Sequence, residues 1–213
     1  MKILALADEE SKSLYEYYRP EKLKGVDLII ACGDLRKSYL DFFASVCHAP
    51  VFYVLGNHDA WDKTERLPGC VCLEDDIVVY KGIRIMGLGG SMRYQRNARN
   101  QYSEAEMARR VRKLWWKLFR MRGFDILVSH SPAKDCNDME DVPHQGFGCF
   151  RKLIENYQPE LFIHGHVHAT YGSDFRRVDR LGETTVINAY SHYIFEYERG
   201  SDVIWSEPAE RGY

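Results

Sequence analysis

No stretch of this 213-residue sequence approaches the roughly 18 consecutive apolar residues that a membrane-spanning helix needs. The opening segment, Met1 to Asp8, has too short an apolar run for a secretory leader, so the chain reads as cytoplasmic and without a membrane partner. An excess of charge is missing too. The 29 Lys and Arg against 31 Asp and Glu leave a net charge of -2, which gives no global attraction to nucleic acid or to an anionic bilayer. Cys-x-x-Cys pairs are absent. The six cysteines are scattered, and Cys70-x-Cys72 is not a usual zinc spacing, so they read as reduced, packed thiols. The run Gly87-Leu88-Gly89-Gly90-Ser91 has too few glycines at the wrong spacing for a P-loop or a dinucleotide fingerprint. Repeats, linkers and low-complexity segments are lacking as well. Residues 1–213 therefore form one expected domain, long enough to bury a proper core, with the polar tail 200–213 loosely held.

What is present alternates. Short apolar runs at Ile3 to Leu6, Asp27 to Cys32, Val51 to Leu55, Asp125 to Val128 and Leu161 to Ile163 predict strands buried on both faces. Helical spacing is read over Ser11 to Tyr18, Ser38 to Cys47 and Phe150 to Tyr157, and over a longer helix from the capping box Ser103-Glu104-Ala105-Glu106 to about Met121. Val71 to Leu73, Ile77 to Tyr80 and Ile83 to Met86 are separated by turns short enough to imply antiparallel hairpins. Thr184 to Ile187 and His192 to Tyr197 complete the strands. The pattern is that of an α/β domain with a mixed sheet or two stacked sheets.

Polar residues recur where the strands end. In order they are Asp8 and Glu10, Asp34 after Gly33, the run Gly56-Asn57-His58-Asp59, His130 after Ser129, and Gly165-His166-Val167-His168. Each has a plain alternative. Asp8 and Glu10 could favour a helix N-terminus, and Gly-Asp or Gly-Asn could be a turn. Their conjunction is informative, because ligands of open α/β sheets bind beyond the carboxyl ends of the strands. Carboxylates, one amide oxygen and three imidazoles form the mixed oxygen and nitrogen set that divalent transition ions prefer, and they suffice for two ions. His48, His164 and His192 read as structural.

This ordered set resembles the calcineurin-like metallophosphoesterase superfamily, over nearly the whole chain. The resemblance implies a four-layer α/β/β/α sandwich of two mixed sheets flanked by helices, with two divalent metal ions at one edge. It implies one ion held by Asp8, Glu10, Asp34 and His168, and a second held by Asp34, Asn57, His130 and His166. His58 would stand beside the scissile phosphate, with Asp59 behind it orienting the imidazole. The first motif departs from the family's usual Asp-x-His, since Glu10 stands where a histidine is common. A glutamate shifts preference towards manganese, with iron, zinc or magnesium as alternatives.

The implied activity is hydrolysis of a phosphomonoester or phosphodiester, with a small-molecule phosphate ester as the expected partner. Two other readings follow from particular residues. The Glu10 exchange suits a binding scaffold of the same fold with weakened catalysis. The segment from Arg93 to Arg122 carries ten Lys or Arg interleaved with Tyr94, Tyr102, Trp115 and Trp116, which suits a nuclease-like phosphodiesterase holding nucleic acid. Within it Arg93 is the candidate phosphate contact. A solvated amphipathic helix face is the plain reading of the same segment.

Overall fold

The computed structural model describes residues 1–61, 64–171 and 175–200, so positions 201–213 of the expected loose tail lie outside the described residues. Along the chain come β1 (Lys2–Ala7), β2 (Leu28–Ala31), α1 (Lys37–Val46), β3 (Val51–Tyr53), β4 (Cys70–Cys72), β5 (Asp76–Tyr80) and β6 (Ile83–Leu88). They are followed by β7 (Ser91–Met92), β8 (Gln101–Tyr102), α2 (Glu104–Lys113), α3 (Trp115–Met121), β9 (Ile126–Ser129) and α4 (Gly148–Tyr157). The last strands are β10 (Leu161–His164), β11 (Val178–Leu181), β12 (Thr184–Asn188) and β13 (Ser191–Glu196).

Two mixed sheets are stacked, one in the order β13-β1-β2-β3-β4 and the other in the order β11-β12-β10-β9-β6-β5. Because strand side chains alternate between faces, each central strand feeds two cores. In β1, Ile3, Ala5 and Ala7 meet Ile126, Val128 and Ile163 between the sheets. Leu4 and Leu6 turn the other way, onto Tyr39, Leu40 and Phe43 of α1. On the far side, Met107 of α2, Leu118 of α3, Phe150 and Leu153 of α4, and Leu114 between α2 and α3 cover Met86, Leu88, Leu127 and Phe162. The layers thus run α/β/β/α, as the resemblance implied.

Three local expectations change. Ser11 to Tyr18 is a series of turns rather than a helix. Its aromatic rings are drawn onto α1, where Tyr15 meets Tyr39 and Phe42, and Tyr18 meets Phe42, edge to face. The Ser11 amide also donates to the Tyr39 hydroxyl at 3.0 Å, a tertiary bond that competes with a helical ladder. The segment at Cys70–Cys72 does not open a hairpin. It pairs parallel with β3 at the edge of the first sheet, and only β5 and β6 form the antiparallel hairpin. The chain passes between sheets within a few residues: the Leu73 amide donates to Tyr53 and the Asp75 amide to Gly87. A crossover so short has the length of a turn, so its sequence reads as one. Finally, the helix from the Ser103 capping box is broken at Leu114 into α2 and α3, and Arg122 in the left-handed region with Gly123 after it closes α3.

Candidate metal centre

The parallel strands β1, β2, β3, β9 and β10 all point their carboxyl ends to one edge, and the polar residues follow immediately. Asp8 (φ 65°), Asp34 (φ 57°) and His166 (φ 70°) leave their strands in the left-handed region that non-glycine residues rarely occupy. Such strain persists where surrounding contacts hold it, and it clusters at functional sites. The contacts are visible here. The Asp34 amide donates to Asp59 at 3.1 Å, and the His166 amide donates to Asp8 at 2.9 Å. Gly56 is required by proximity, since a β-carbon there would overlap the Asp34 carboxylate.

Four side-chain atoms then converge. His130 Nε2 lies 3.0 Å from Asn57 Oδ1, 3.0 Å from His166 Nδ1 and 3.3 Å from Asp34 Oδ2. Each imidazole has its other nitrogen committed. His130 Nδ1 sits 2.7 Å from the Cys32 carbonyl, and His166 Nε2 sits 2.7 Å from the Pro143 carbonyl. A carbonyl only accepts, so those nitrogens carry the hydrogens. What remains facing inward in the neutral state is four lone pairs, from two imidazoles, an amide oxygen and a carboxylate. Lone pairs repel, so the arrangement needs a cation at its centre. The donor set of two nitrogens and two oxygens fits a divalent transition metal. Ligand atoms of Asp34, His130 and His166 all lie within 4.8 Å of one another.

Without a metal, a proton plays that part. Burial disfavours charge on His130, but the Asp34 carboxylate outweighs it and raises the imidazole to about 10. Burial likewise works to raise Asp34, and the His130 charge with the His58 amide bond holds it at about 2 instead. His166 is pushed well below its usual value by burial and by the neighbouring His130, which keeps its lone pair available.

The other half of the expected ligand set is differently arranged. The Asp8 side chain is buried, its Oδ1 has no hydrogen-bond partner among the described residues, and His168 Nε2 lies 3.5 Å from that oxygen. An orphaned buried carboxylate oxygen facing an imidazole suits a second cation. Glu10 is not with them. Both its oxygens accept from the Arg36 guanidinium, 2.7 Å at Nε and a close contact at Nη2. Arg36 follows Asp34 by two residues, and its planar fork matches a carboxylate bidentately, so the pair forms at the rim.

His58 is exposed and lines an open cavity of about 440 Å³ together with Asp34, Arg36, Lys37, Trp61 and Glu65. Asp59 does not address His58. Its Oδ2 accepts the amides of Gly56 at 2.7 Å and of Asp34 at 3.1 Å, so it braces the two backbone turns that present the ligands. Burial raises its carboxyl to about 6. Arg93 is turned to a local partner, pairing with Glu106 at 2.8 Å and donating to the Gln101 carbonyl at 3.1 Å, in place of the expected phosphate contact.

Several contributors had no role assigned to them from the sequence. The Asn57 amide donates to the Tyr94 hydroxyl at 3.2 Å, which fixes its oxygen towards His130. Asn188, the last residue of β12, donates to the Val167 carbonyl at 2.8 Å and so supports the segment between His166 and His168. Arg36 and Lys37 stand directly after Gly33-Asp34-Leu35, and two cations in that place were the available signal.

Comparison with known proteins agrees with this geometry. The family model described as calcineurin-like phosphoesterase matches residues 7–170. An uncharacterized protein of Methanocaldococcus jannaschii, MJ1162, is 24% identical over 191 residues, covering 84% of each chain. The human metallophosphoesterase domain-containing protein 1 is 29% identical over 126 residues, 58% of this chain and 35% of that one. Among solved structures, TT1561 of Thermus thermophilus superposes with a TM-score of 0.62 at 17% identity, over 89% of this chain and 88% of that one, which establishes likeness of fold.

Proposed function

The chain belongs to the calcineurin-like phosphoesterase family, and from that premise we propose that it is a metal-dependent phosphoesterase, cleaving a phosphomonoester or phosphodiester by attack of water. The convergence of four lone pairs on one point carries this reading. Asp34, Asn57, His130 and His166 would hold a divalent ion, which would supply Lewis acidity for hydrolysis of the ester. A second ion would be held by Asp8, His168 and Asp34. Manganese is the first choice; iron, zinc and magnesium are compatible with the same donors.

The chain's own residues do the rest. His58, on the wall of the cavity beside Asp34, is placed to donate a hydrogen bond or proton to the departing oxygen. Its position is fixed from the backbone, because the His58 amide donates to Asp34 Oδ1 at 2.7 Å. Asp59 and Tyr94 hold Asp34 and Asn57 in register. Arg36 and Lys37, on the same cavity wall, are paired with Glu10 and Glu65, and a phosphate ester entering there would compete with those carboxylates for the two cations.

The Glu10 to Arg36 pair favours a second reading, a scaffold of this fold that holds metal without turnover. Hydrolysis of an aryl phosphate and of a bis-aryl phosphodiester with added Mn²⁺ separates the two. Turnover that is lost in Asp34→Ala supports the enzyme. Stoichiometric metal uptake with no turnover of either ester, under any divalent ion, selects the scaffold.

A further inference from the structure

The outer face of α3 carries a feature that the metal centre does not use. Leu114 and Leu118 are buried against the second sheet, and this turns Trp115, Trp116 and Phe119 outward with 61%, 53% and 71% of their surface exposed. The three rings are contiguous. Trp115 meets Trp116 edge-on at 5.3 Å between centroids, and Trp116 stacks on Phe119 at 5.9 Å. Exposed rings of this size in one cluster are, among the described residues, an unpartnered apolar surface. They sit in a field of one sign. From Arg109 to Arg122 there are seven Lys or Arg and no acidic residue. Lys117 pairs with Asp76, and the half-buried Arg110 pairs with Glu74 and Asp75. Arg112, Lys113, Arg120 and Arg122 are exposed and, among the described residues, form no ion pair.

We propose that this face of α3 docks the protein on an anionic phospholipid surface. Tryptophan and phenylalanine rings at the level of the headgroups, flanked by lysine and arginine, are the chemistry by which a helix lies on such a surface. Unpaired cations beside the rings complement phosphatidylserine-type headgroups, within a Debye length of the bilayer. The overall charge of -2 excludes a global attraction but not this local one, which is why the sequence alone pointed away from a membrane. Nucleic acid is the weaker match. Trp116 is engaged by both neighbouring rings, so the cluster is one continuous apolar patch rather than a row of separate faces for successive bases. α3 also ends at the wrong edge: Arg84, in the second residue of β6, donates to the Arg122 carbonyl, at the edge of the sheet opposite the strand ends that carry the metal centre. Docking through α3 would leave that centre facing the aqueous phase.

Co-sedimentation of the full chain with vesicles tests this, using phosphatidylcholine alone and with 30% phosphatidylserine. We expect binding to the anionic vesicles, weakened at least tenfold by the Trp115→Ser/Trp116→Ser/Phe119→Ser variant. The variant Arg112→Gln/Lys113→Gln/Arg120→Gln, which keeps the rings, should lose the preference for phosphatidylserine. Unchanged thermal melting of both variants shows that folding is intact. No association with anionic vesicles at low salt would overturn the proposal, and so would association that both variants retain. Salt-sensitive binding of a single-stranded oligonucleotide through the same residues, without vesicle binding, would reassign the face to nucleic acid. Ring-dependent dimerisation without vesicle binding would reassign it to a second copy of the chain.

Discussion

Asp34 faces His130 and accepts the His58 amide, and under the proposed function it would also ligate both metal ions. Asp34→Ala should therefore lower Mn²⁺-dependent turnover by more than about 100-fold, a loss at the upper end of what ligand-supporting residues cost, while the fold survives. Steady-state assays paired with circular dichroism check this. At Glu10 the expected change has the opposite sign. The carboxylate is held away from Asp8 and His168 by Arg36. Arg36→Ala should release it, so that manganese retained after gel filtration rises from about one equivalent towards about two. Metal analysis reads the result directly, and an unchanged content would show that Glu10 is not held back by Arg36.

At the scale of elements, the site depends on contacts that join one sheet's strand ends to the other's. Arg110 of α2 pairs with Glu74 and Asp75 and donates to the Gly89 carbonyl. Glu74 in turn accepts the Leu55 amide at 2.7 Å, one residue before Gly56. Arg110→Met would leave two poorly solvated carboxylates without their cation. A cost of about 3–5 kcal/mol is expected, read as a lower denaturant midpoint with unchanged slope. Asn188→Ala removes the bond to Val167 and strands a buried carbonyl, so a loss of about 1–3 kcal/mol is expected together with weaker metal retention.

For the whole molecule, the coupled charges of the centre set a pH dependence. His130 in the metal-free protein is raised to about 10, above its usual value, because Asp34 outweighs the effect of burial. A raised folded value means that its stabilising contribution is complete below the unfolded value, about 6.5, and disappears as pH rises through 10. Asp34 is depressed to about 2, so its contribution is present above about 3.8 and is lost as pH falls towards 2. A metal must displace the His130 proton. Uptake of Mn²⁺ should then release about one proton near neutral pH, and apparent affinity should rise about tenfold per pH unit between 7 and 9. Calorimetry in buffers of different ionisation enthalpy measures the proton; titrations at several pH values measure the slope. A pH-independent affinity would show that His130 is already unprotonated.

Strand ends and their order were readable from the sequence, because two-sided burial makes continuous apolar runs and a site at a sheet edge places polar residues after each run. Ile3 to Leu6 followed by Asp8, and Leu161 to Ile163 followed by His166, need no tertiary information to be noticed. The same runs left one mixed sheet or two stacked sheets open, and the family resemblance implied the four layers; the structure sends Ile3 and Leu4 to different cores. What the sequence could not decide was which partner each polar group would find. Glu10 has a carboxylate suited to a metal, yet Arg36 reaches it first, and Asp59 lies beside His58 in sequence but bonds the backbone amides of Gly56 and Asp34. Arg93 was likewise taken by Glu106, and Tyr15 by α1. Hydrogen bonds and ion pairs act over a few ångströms through space and carry no periodic trace along the chain. The strand ends were therefore written in the sequence, while the partners that gather around Asp34 were chosen only when the two sheets came together.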